Sequence, residues 1–212
     1  MSPLDYLYES INCQLEALNP DDIDSQFILR YIRASAPPNT KVEKILKISR
    51  ANDDERFNER NVGNRYLLWH GLLVEPLCAK GTGKQFGRGI YTADEFGKSL
   101  AYCSGVKKNG NESCCMLLCE VALGNTHMVT DKTSSDYRAQ LDTSKYQSRT
   151  AHGSSIPDPR YTIIRDSGVR MPLGEIITCK NAQHLAHVCT HNEYIIADSS
   201  QIVIRYIVQF VR

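Results

Sequence analysis

The sequence lacks an apolar stretch long enough to cross a bilayer. Its long apolar runs, such as Cys114 to Cys119, fall far short of the roughly 20 residues that a spanning helix needs. The first residues contain neither a basic nor an apolar region, so we expect no signal peptide. An excess of charge is also missing, because 25 basic and 24 acidic residues give a net charge of +1. A domain that holds nucleic acid by its backbone normally shows a basic excess, so a DNA-binding module is disfavoured.

Metal-binding patterns are also lacking, although the sequence contains 8 cysteines. No Cys-x-x-Cys pair occurs, and several cysteines lie in apolar runs, which favours buried, reduced thiols inside a cell. One short segment gathers His184, His187, Cys189 and His191. These residue types suit zinc, but their spacing matches no common zinc finger. We therefore expect surface histidines here and no metal.

The fold class follows from the order of the predicted elements. One amphipathic helix is predicted to begin with Asn19 as N-cap and Pro20 at its first position. A second, short helix is predicted to be capped by Asp94. Most of the remaining chain favours strands, with no repeated β-α-β rhythm, no internal repeat and no linker. The sequence therefore predicts one α+β domain over residues 1–212, with few helices. The predicted segments are the helix face Ile23, Phe27, Ile28, Tyr31 and Ile32, the strands at 42–48, 66–69, 114–123, 161–164, 193–196 and 202–211, a loop or short helix at 52–60, and a long loop at 131–159.

Three short segments carry residues suited to chemistry. Leu67-Leu68-Trp69-His70-Gly71 is a buried strand that ends in a histidine and a glycine. Gly87-Arg88-Gly89-Ile90-Tyr91 is a glycine turn that enters a strand, followed by Lys98-Ser99 and Tyr102. Asn192-Glu193-Tyr194-Ile195-Ile196 places a carboxylate at the start of an apolar strand. Each segment alone has a structural explanation, such as a core aromatic or a solvated acid, so only their combination indicates a function.

In this order, the three segments resemble the catalytic domain of poly(ADP-ribose) polymerases. The resemblance extends over nearly the whole chain and includes Glu120-Val121-Ala122-Leu123-Gly124, Pro157-Asp158-Pro159 and Pro172-Leu173-Gly174. The opening residues and the segment from Gly63 to Gly71 look most like the branch that DNA strand breaks activate, and within it the third member. The resemblance implies an ADP-ribosyltransferase fold, with two packed, mainly antiparallel sheets around an NAD cleft. It also implies transfer of ADP-ribose from NAD to proteins in the nuclear response to DNA damage.

The resemblance also assigns roles to residues. The family's histidine–tyrosine–glutamate triad corresponds to His70, Tyr91 and Glu193. Glu193 would bind a hydroxyl of the nicotinamide ribose, and His70 the ribose on the adenosine side. Tyr91 and Tyr102 would stack on opposite faces of the nicotinamide ring. The further residues implied are Gly71 and Ser99 for the carboxamide, and Lys98 beside the pocket for the acceptor.

The sequence departs from the family after Gly71. The family continues with a serine and a helical segment, whereas here Gly71 runs into Leu72, and only 20 residues separate His70 from Tyr91. An alternative function is therefore a catalytically impaired NAD-binding or scaffold domain. The DNA-sensing and regulatory helical domains that precede this region in the branch are not expected in this chain. Gly81-Thr82-Gly83-Lys84 is not a phosphate-binding loop, because Gln85 follows where Ser or Thr is needed, so we interpret it as the family's loop over the NAD site.

Overall fold

The structure is a computed structural model that describes residues 12–72, 85–108, 110–130, 141–179 and 187–212. Within these ranges the chain forms three α-helices and fifteen β-strands. None of the described helices is long and apolar enough to span a membrane. The helices are α1 Ile23–Arg33, α2 Asp53–Glu59 and α3 Phe96–Leu100.

The strands are short except for three that run through the middle of the largest sheet. In chain order they are β1 Cys13–Ala17, β2 Lys41–Arg50, β3 Arg65–Gly71, β4 Ile90–Thr92, β5 Val106–Lys108, β6 Asn111–Ala122, β7 Thr126–Val129, β8 Ser148–Ala151, β9 Gly153–Pro157, β10 Thr162–Ile164, β11 Arg170–Pro172, β12 Ile176–Thr178, β13 Cys189–His191, β14 Glu193–Ile196 and β15 Ile202–Val211.

The described strands form three mainly antiparallel sheets. An eight-stranded sheet has the order β1-β2-β15-β6-β3-β11-β10, with β5 paired to β6. A four-stranded sheet has the order β4-β14-β8-β7, and a three-stranded sheet the order β12-β9-β13. The predicted α+β class with few helices is confirmed, and the strands divide into three sheets where two were expected.

The main core lies between α1, α3 and the inner face of the eight-stranded sheet. Alternate residues of β6 and β15 point into it, as expected for strands with one buried face. Four rings form a continuous series there: Tyr31 lies 5.1 Å from Trp69, Trp69 5.3 Å from Phe96, and Phe96 5.1 Å from Phe210. Because Phe96 begins α3, this packing fixes the helix against the end of β3.

One pair of backbone hydrogen bonds joins the eight-stranded and four-stranded sheets. The Trp69 N–H donates to the Ala93 carbonyl at 2.8 Å, and the Ala93 N–H donates to the Trp69 carbonyl at 3.0 Å. Trp69 belongs to β3, and Ala93 directly follows β4. The two bonds therefore place His70 and Gly71 beside the strand that carries Tyr91.

The structure corrects four sequence predictions. Helix α1 begins at Ile23 with Asp22 at its N-cap, not at Pro20, because the Asp22 carboxylate accepts the Asn19 N–H at 2.6 Å and forms a turn before the helix. Ile23 is 58% exposed, so it does not belong to the buried face. Glu95, not Asp94, is the residue before α3.

The fourth correction concerns the long loop predicted at 131–159. Its described part contains β8 and β9, the first of which is buried along its whole length. The strand β8 is not predicted because its residues are mostly polar. Ser148 and Thr150 are nevertheless buried, because both are hydrogen-bonded. The Ser148 hydroxyl donates to the Leu123 carbonyl at 2.8 Å.

The cysteines in the described ranges are free thiols. Burial raises the pKa of Cys119 to about 12 and that of Cys103 to about 11. These thiols therefore stay protonated at neutral pH and act as small apolar core residues.

Candidate active site

His70 is fixed by the backbone of the neighbouring sheet. Its Nδ1 lies 2.7 Å from the Tyr91 carbonyl oxygen. A carbonyl oxygen can only accept, so Nδ1 carries the hydrogen and donates. In the neutral ring, Nε2 is then the acceptor nitrogen, which suits a hydrogen bond from a ligand hydroxyl.

Tyr91 lies on β4, and its hydroxyl forms hydrogen bonds with the glycine turn that precedes the strand. The hydroxyl accepts the Phe86 N–H at 3.0 Å and donates to the Gly87 carbonyl at 2.8 Å. Burial raises the pKa of the Tyr91 phenol to about 12, so the hydroxyl stays protonated. The hydroxyl thus holds the turn, and the ring is the part of Tyr91 that can contact a ligand.

Glu193 begins β14, which pairs with β4 in antiparallel register. Ile195 lies opposite Tyr91, and side chains two apart on a strand share a face. Glu193 and Tyr91 are therefore diagonal neighbours on one face of this sheet. The charge of Glu193 is one of the influences that raise the pKa of Tyr91, after burial, which agrees with this proximity.

Lys98 of α3 forms an ion pair with Glu193. Its Nζ lies 3.0 Å from Glu193 Oε1, and only 18% and 13% of the two side chains are exposed. The same Nζ donates to the Tyr102 hydroxyl at 3.4 Å and lies 5.1 Å from the centre of the Tyr102 ring. Burial lowers the pKa of Lys98, but the hydrogen bond and charge of Glu193 outweigh burial, so the pKa is raised and the ammonium stays charged.

Gly71 lies directly against α3 and the residues that follow it. A Cβ added to Gly71 would stand 2.5 Å from the Ser99 carbonyl oxygen and 2.9 Å from Tyr102 Cβ. The Ser99 hydroxyl is buried and donates to the Trp69 carbonyl at 3.2 Å. At this point the end of β3 can lie this close to α3 only because residue 71 has no side chain.

The structure thus brings all seven predicted site residues into one region. His70 contacts the backbone of Tyr91, and Glu193 lies on the strand paired with it. Helix α3 and the residue Tyr102 after it complete the region on the other side. The connected residues are His70, Gly71, Tyr91, Lys98, Ser99, Tyr102 and Glu193.

Sequence reasoning missed a set of buried polar residues behind this region. The Asp94 carboxylate accepts from the Asn192 amide at 2.8 Å and from the Tyr194 hydroxyl at 2.9 Å. His191 Nδ1 lies 2.9 Å from Glu95 Oε2. Burial raises the pKa of Asp94 to about 6 and that of Glu95 to about 8. The sequence signal is the pair of adjacent acids Asp94 and Glu95 before a short helix, of which Asp94 alone is predicted, as a cap.

Two predictions fall partly or wholly outside the described residues. The segment from Gly81 to Lys84 lies outside them, as does His184. In the part of the chain that the structure describes, no three histidine, cysteine or acidic side chains are grouped as metal ligands. His191 is engaged with Glu95, and the Cys189 thiol contacts the His191 carbonyl at 2.9 Å.

Fold and site together have the features of the ADP-ribosyltransferase fold, an α+β domain with mainly antiparallel sheets and few helices. A family model described as the poly(ADP-ribose) polymerase catalytic domain matches residues 24–212. The chain therefore belongs to the poly(ADP-ribose) polymerase catalytic domain family.

Curated relatives agree with this assignment. The chain is 34% identical over 225 residues to poly [ADP-ribose] polymerase of Drosophila melanogaster, with 97% of this chain and 22% of the relative covered. It is 32% identical to poly [ADP-ribose] polymerase 1 of Caenorhabditis elegans, with 99% and 23% covered. It is 31% identical to poly [ADP-ribose] polymerase 2 of Arabidopsis thaliana, with 98% and 34% covered.

This chain covers only part of each relative. The chain spans between about a fifth and a third of the length of these relatives. The alignment with the fly protein covers 225 residues although this chain has 212, so the relative has positions without a counterpart here. The closer resemblance to the third member of the DNA-break branch stays a prediction.

Proposed function

We propose that this chain is an NAD-dependent protein ADP-ribosyltransferase, which cleaves the bond between nicotinamide and ribose and transfers ADP-ribose to a protein side chain. One observation carries the proposal. The Glu193 carboxylate pairs with Lys98 Nζ at 3.0 Å and shares a sheet face with Tyr91, whose carbonyl fixes the ring of His70. The imidazole of His70, the ring of Tyr91 and the carboxylate of Glu193 thus come from three strands and line one region. Membership of the family supports their assignment as a triad.

In this proposal the protein first orients NAD. His70 Nε2 accepts a hydrogen bond from the ribose on the adenosine side. The rings of Tyr91 and Tyr102 flank the nicotinamide, where aromatic faces favour a flat cation. The backbone of Gly71 binds the carboxamide, and the Ser99 hydroxyl, which donates to Trp69, still has lone pairs to accept an amide hydrogen.

Glu193 then stabilises the charge that develops as nicotinamide leaves. The ribose gains oxocarbenium character, as in glycoside hydrolysis, and a carboxylate bound to its hydroxyl opposes that charge. Preorganised groups of this kind contribute about 3–4 kcal/mol each to transition-state stabilisation. Lys98 holds Glu193 in position through their 3.0 Å ion pair, and lies where an acceptor side chain would enter.

We further propose that residues 1–212 act as one catalytic domain with protein acceptors, in the nucleus and in the response to DNA damage. The resemblance to the branch activated by DNA strand breaks supports this role. The net charge of +1 disfavours direct contact with DNA through this domain. Recruitment of the tagged protein to sites of laser-induced DNA damage tests this part of the proposal.

Incubation with labelled NAD tests the reaction itself. We expect label on protein with the wild-type chain and none with Glu193→Gln. The matched control is Glu59→Gln, because Glu59 is exposed on α2, and it should label like the wild type. Equal labelling by wild type and Glu193→Gln would refute the role of the glutamate.

A catalytically silent NAD-binding or scaffold domain is the second candidate function. The 20 residues between His70 and Tyr91, and the positions that the fly relative has in addition, favour it. Thermal shift with nicotinamide or benzamide separates the two candidates. Stabilisation together with labelling identifies an enzyme, and stabilisation without labelling identifies a binder.

A further inference from the structure

Glu95 is a buried carboxylate with one oxygen unused. Its side chain is 2% exposed, and Oε2 lies 2.9 Å from His191 Nδ1. Oε1 is buried and has no hydrogen-bond partner among the described residues. Burying such a group costs free energy, so a buried carboxylate that holds a single imidazole requires an explanation.

His191 connects this carboxylate to the edge of the proposed active site. The His191 side chain is 35% exposed. His191 lies two residues before Glu193, and its partner Glu95 lies three residues before Lys98, which pairs with Glu193. The Glu95–His191 pair therefore lies beside that ion pair, and the charges of Lys98 and Glu193 both act on the pKa of His191, after burial. Nδ1 is engaged by Glu95, and Nε2 is the ring nitrogen left to meet a substrate. A carboxylate that orients an imidazole beside a reacting centre is the arrangement of a general base.

We propose that His191, oriented by Glu95, accepts the proton of hydroxyl acceptors during ADP-ribose transfer. The inference rests on the proposed function and adds a catalytic residue to it. The acceptor oxygen forms a bond to the ribose anomeric carbon, and the bond from that carbon to nicotinamide breaks with its electron pair moving to the ring nitrogen. The hydroxyl proton moves to His191 Nε2, and the Glu95 carboxylate stabilises the resulting imidazolium. A carboxylate acceptor has no proton to lose at neutral pH, so it needs no such base.

The protonation of the pair sets the direction of its pH dependence. Burial and then the charge of Asp94 raise the pKa of Glu95 to about 8, against the opposing charge of Lys98. Burial and the charge of Lys98 lower the pKa of His191, against the charge of Glu193. The Tyr31 hydroxyl also faces this group, and it stays protonated because burial raises its pKa strongly.

When the Glu95–His191 pair loses one proton, Glu95 becomes charged and His191 is neutral, with its hydrogen on Nδ1. This is the form in which Nε2 can accept a proton. Transfer to hydroxyl acceptors should therefore rise as the pH increases through about 8, the pKa of Glu95. Transfer to carboxylate acceptors should lack this rise.

Two peptides that differ only in a single Ser or Glu acceptor test the inference, with labelled NAD and the full chain. We expect His191→Gln to lower transfer to the Ser peptide on the order of 100-fold, the usual contribution of a general base, and transfer to the Glu peptide less than about 3-fold. Glu95→Gln keeps a hydrogen-bonding group but no charge, so it should act in the same direction and remove the rise with pH. The matched control is His127→Gln on β7, where the histidine packs against the Tyr146 ring, and both transfers should be unchanged.

The outcomes separate this inference from the function on which it rests. If His191→Gln and Glu95→Gln reduce transfer to both peptides equally, the pair is structural and the inference fails while the enzyme stands. If the wild type transfers only to the Glu peptide, His191 is not an acceptor base. If the wild type releases no nicotinamide from NAD, the proposed function fails and the base assignment fails with it.

Discussion

Gly71 is a residue at which the end of β3 lies close to α3. An added methyl group would stand 2.5 Å from the Ser99 carbonyl oxygen. That contact is with backbone, which cannot rotate away, so β3 or α3 would have to shift. The residues that would move are those proposed to hold nicotinamide.

We therefore predict that Gly71→Ala abolishes the thermal stabilisation by benzamide and lowers the free energy of unfolding by about 1–3 kcal/mol. Gly63→Ala is the matched control, since a Cβ at Gly63 meets nothing within 4 Å. Stabilisation of Gly71→Ala by benzamide equal to that of the wild type would contradict the placement of the amide site.

Asp94 illustrates how a buried acid makes stability depend on pH. Burial raises its pKa from 3.8 to about 6, so the folded state holds the proton more tightly than the unfolded state. Stability is then lost as the pH rises from about 4 through 6, because the buried carboxyl must ionise. The hydrogen bonds from Asn192 and Tyr194 partly oppose this loss by favouring the charged form.

Asp94→Asn cannot ionise, and its amide oxygen can still accept those hydrogen bonds. We predict that its free energy of unfolding rises relative to the wild type between pH 4 and pH 7, on the order of 3 kcal/mol in total. Urea unfolding at several pH values measures this difference. If the difference in free energy of unfolding between Asp94→Asn and the wild type does not change with pH, the pKa of Asp94 is not raised in the folded state.

At the scale of elements, β4 and the turn before it are held together by one hydroxyl. Tyr91→Phe keeps the ring and the strand but removes the hydrogen bonds to Phe86 and Gly87. We predict a loss of about 1–3 kcal/mol in the free energy of unfolding, with benzamide binding changed only slightly, because the ring remains. Tyr161→Phe is the control, since Tyr161 is 51% exposed, and should cost less than about 0.5 kcal/mol. Loss of benzamide binding without loss of stability would contradict this division of roles.

The elements also show what the sequence could reveal. The strands β3, β6, β14 and β15 were predicted to within a few residues, because each is an apolar run with polar or turn residues at its ends. Strand β8 was missed because its buried residues are mostly polar and are satisfied by partners far away in the chain. Local pattern cannot signal such partners.

The candidate site also contains some residues that the sequence indicates and others that it does not. His70, Tyr91 and Glu193 lie in short segments whose order resembles the family, and the structure brings these segments into one region, while their roles stay predictions. The pair of Glu95 and His191 joins residues 96 positions apart. The sequence draws attention to His191 only as part of a histidine-rich segment, and it gives no signal that Glu95 is its partner. Only the antiparallel pairing of β4 with β14 brings the two together.

At the scale of the whole molecule, the aromatic series in the main core connects the site to the rest of the fold. Phe96 is fully buried between Trp69 of β3 and Phe210 of β15, and it begins the helix that carries Lys98 and Ser99. The position of α3 against β3 therefore depends on the packing of this core.

We predict that Phe96→Ala lowers the free energy of unfolding by about 3–5 kcal/mol and also weakens benzamide binding. Ile164→Ala is the control, because Ile164 is 65% exposed and its removal leaves no cavity. Urea unfolding and thermal shift give both quantities. Full benzamide binding by a folded Phe96→Ala variant would mean that the core does not position the site.

The release of nicotinamide from NAD tests the central claim most directly, because it measures cleavage of the glycosidic bond whatever the acceptor. The account predicts that Glu193→Gln still binds benzamide but releases nicotinamide on the order of 100- to 1000-fold more slowly than the wild type. Equal rates of release by the two proteins would contradict it.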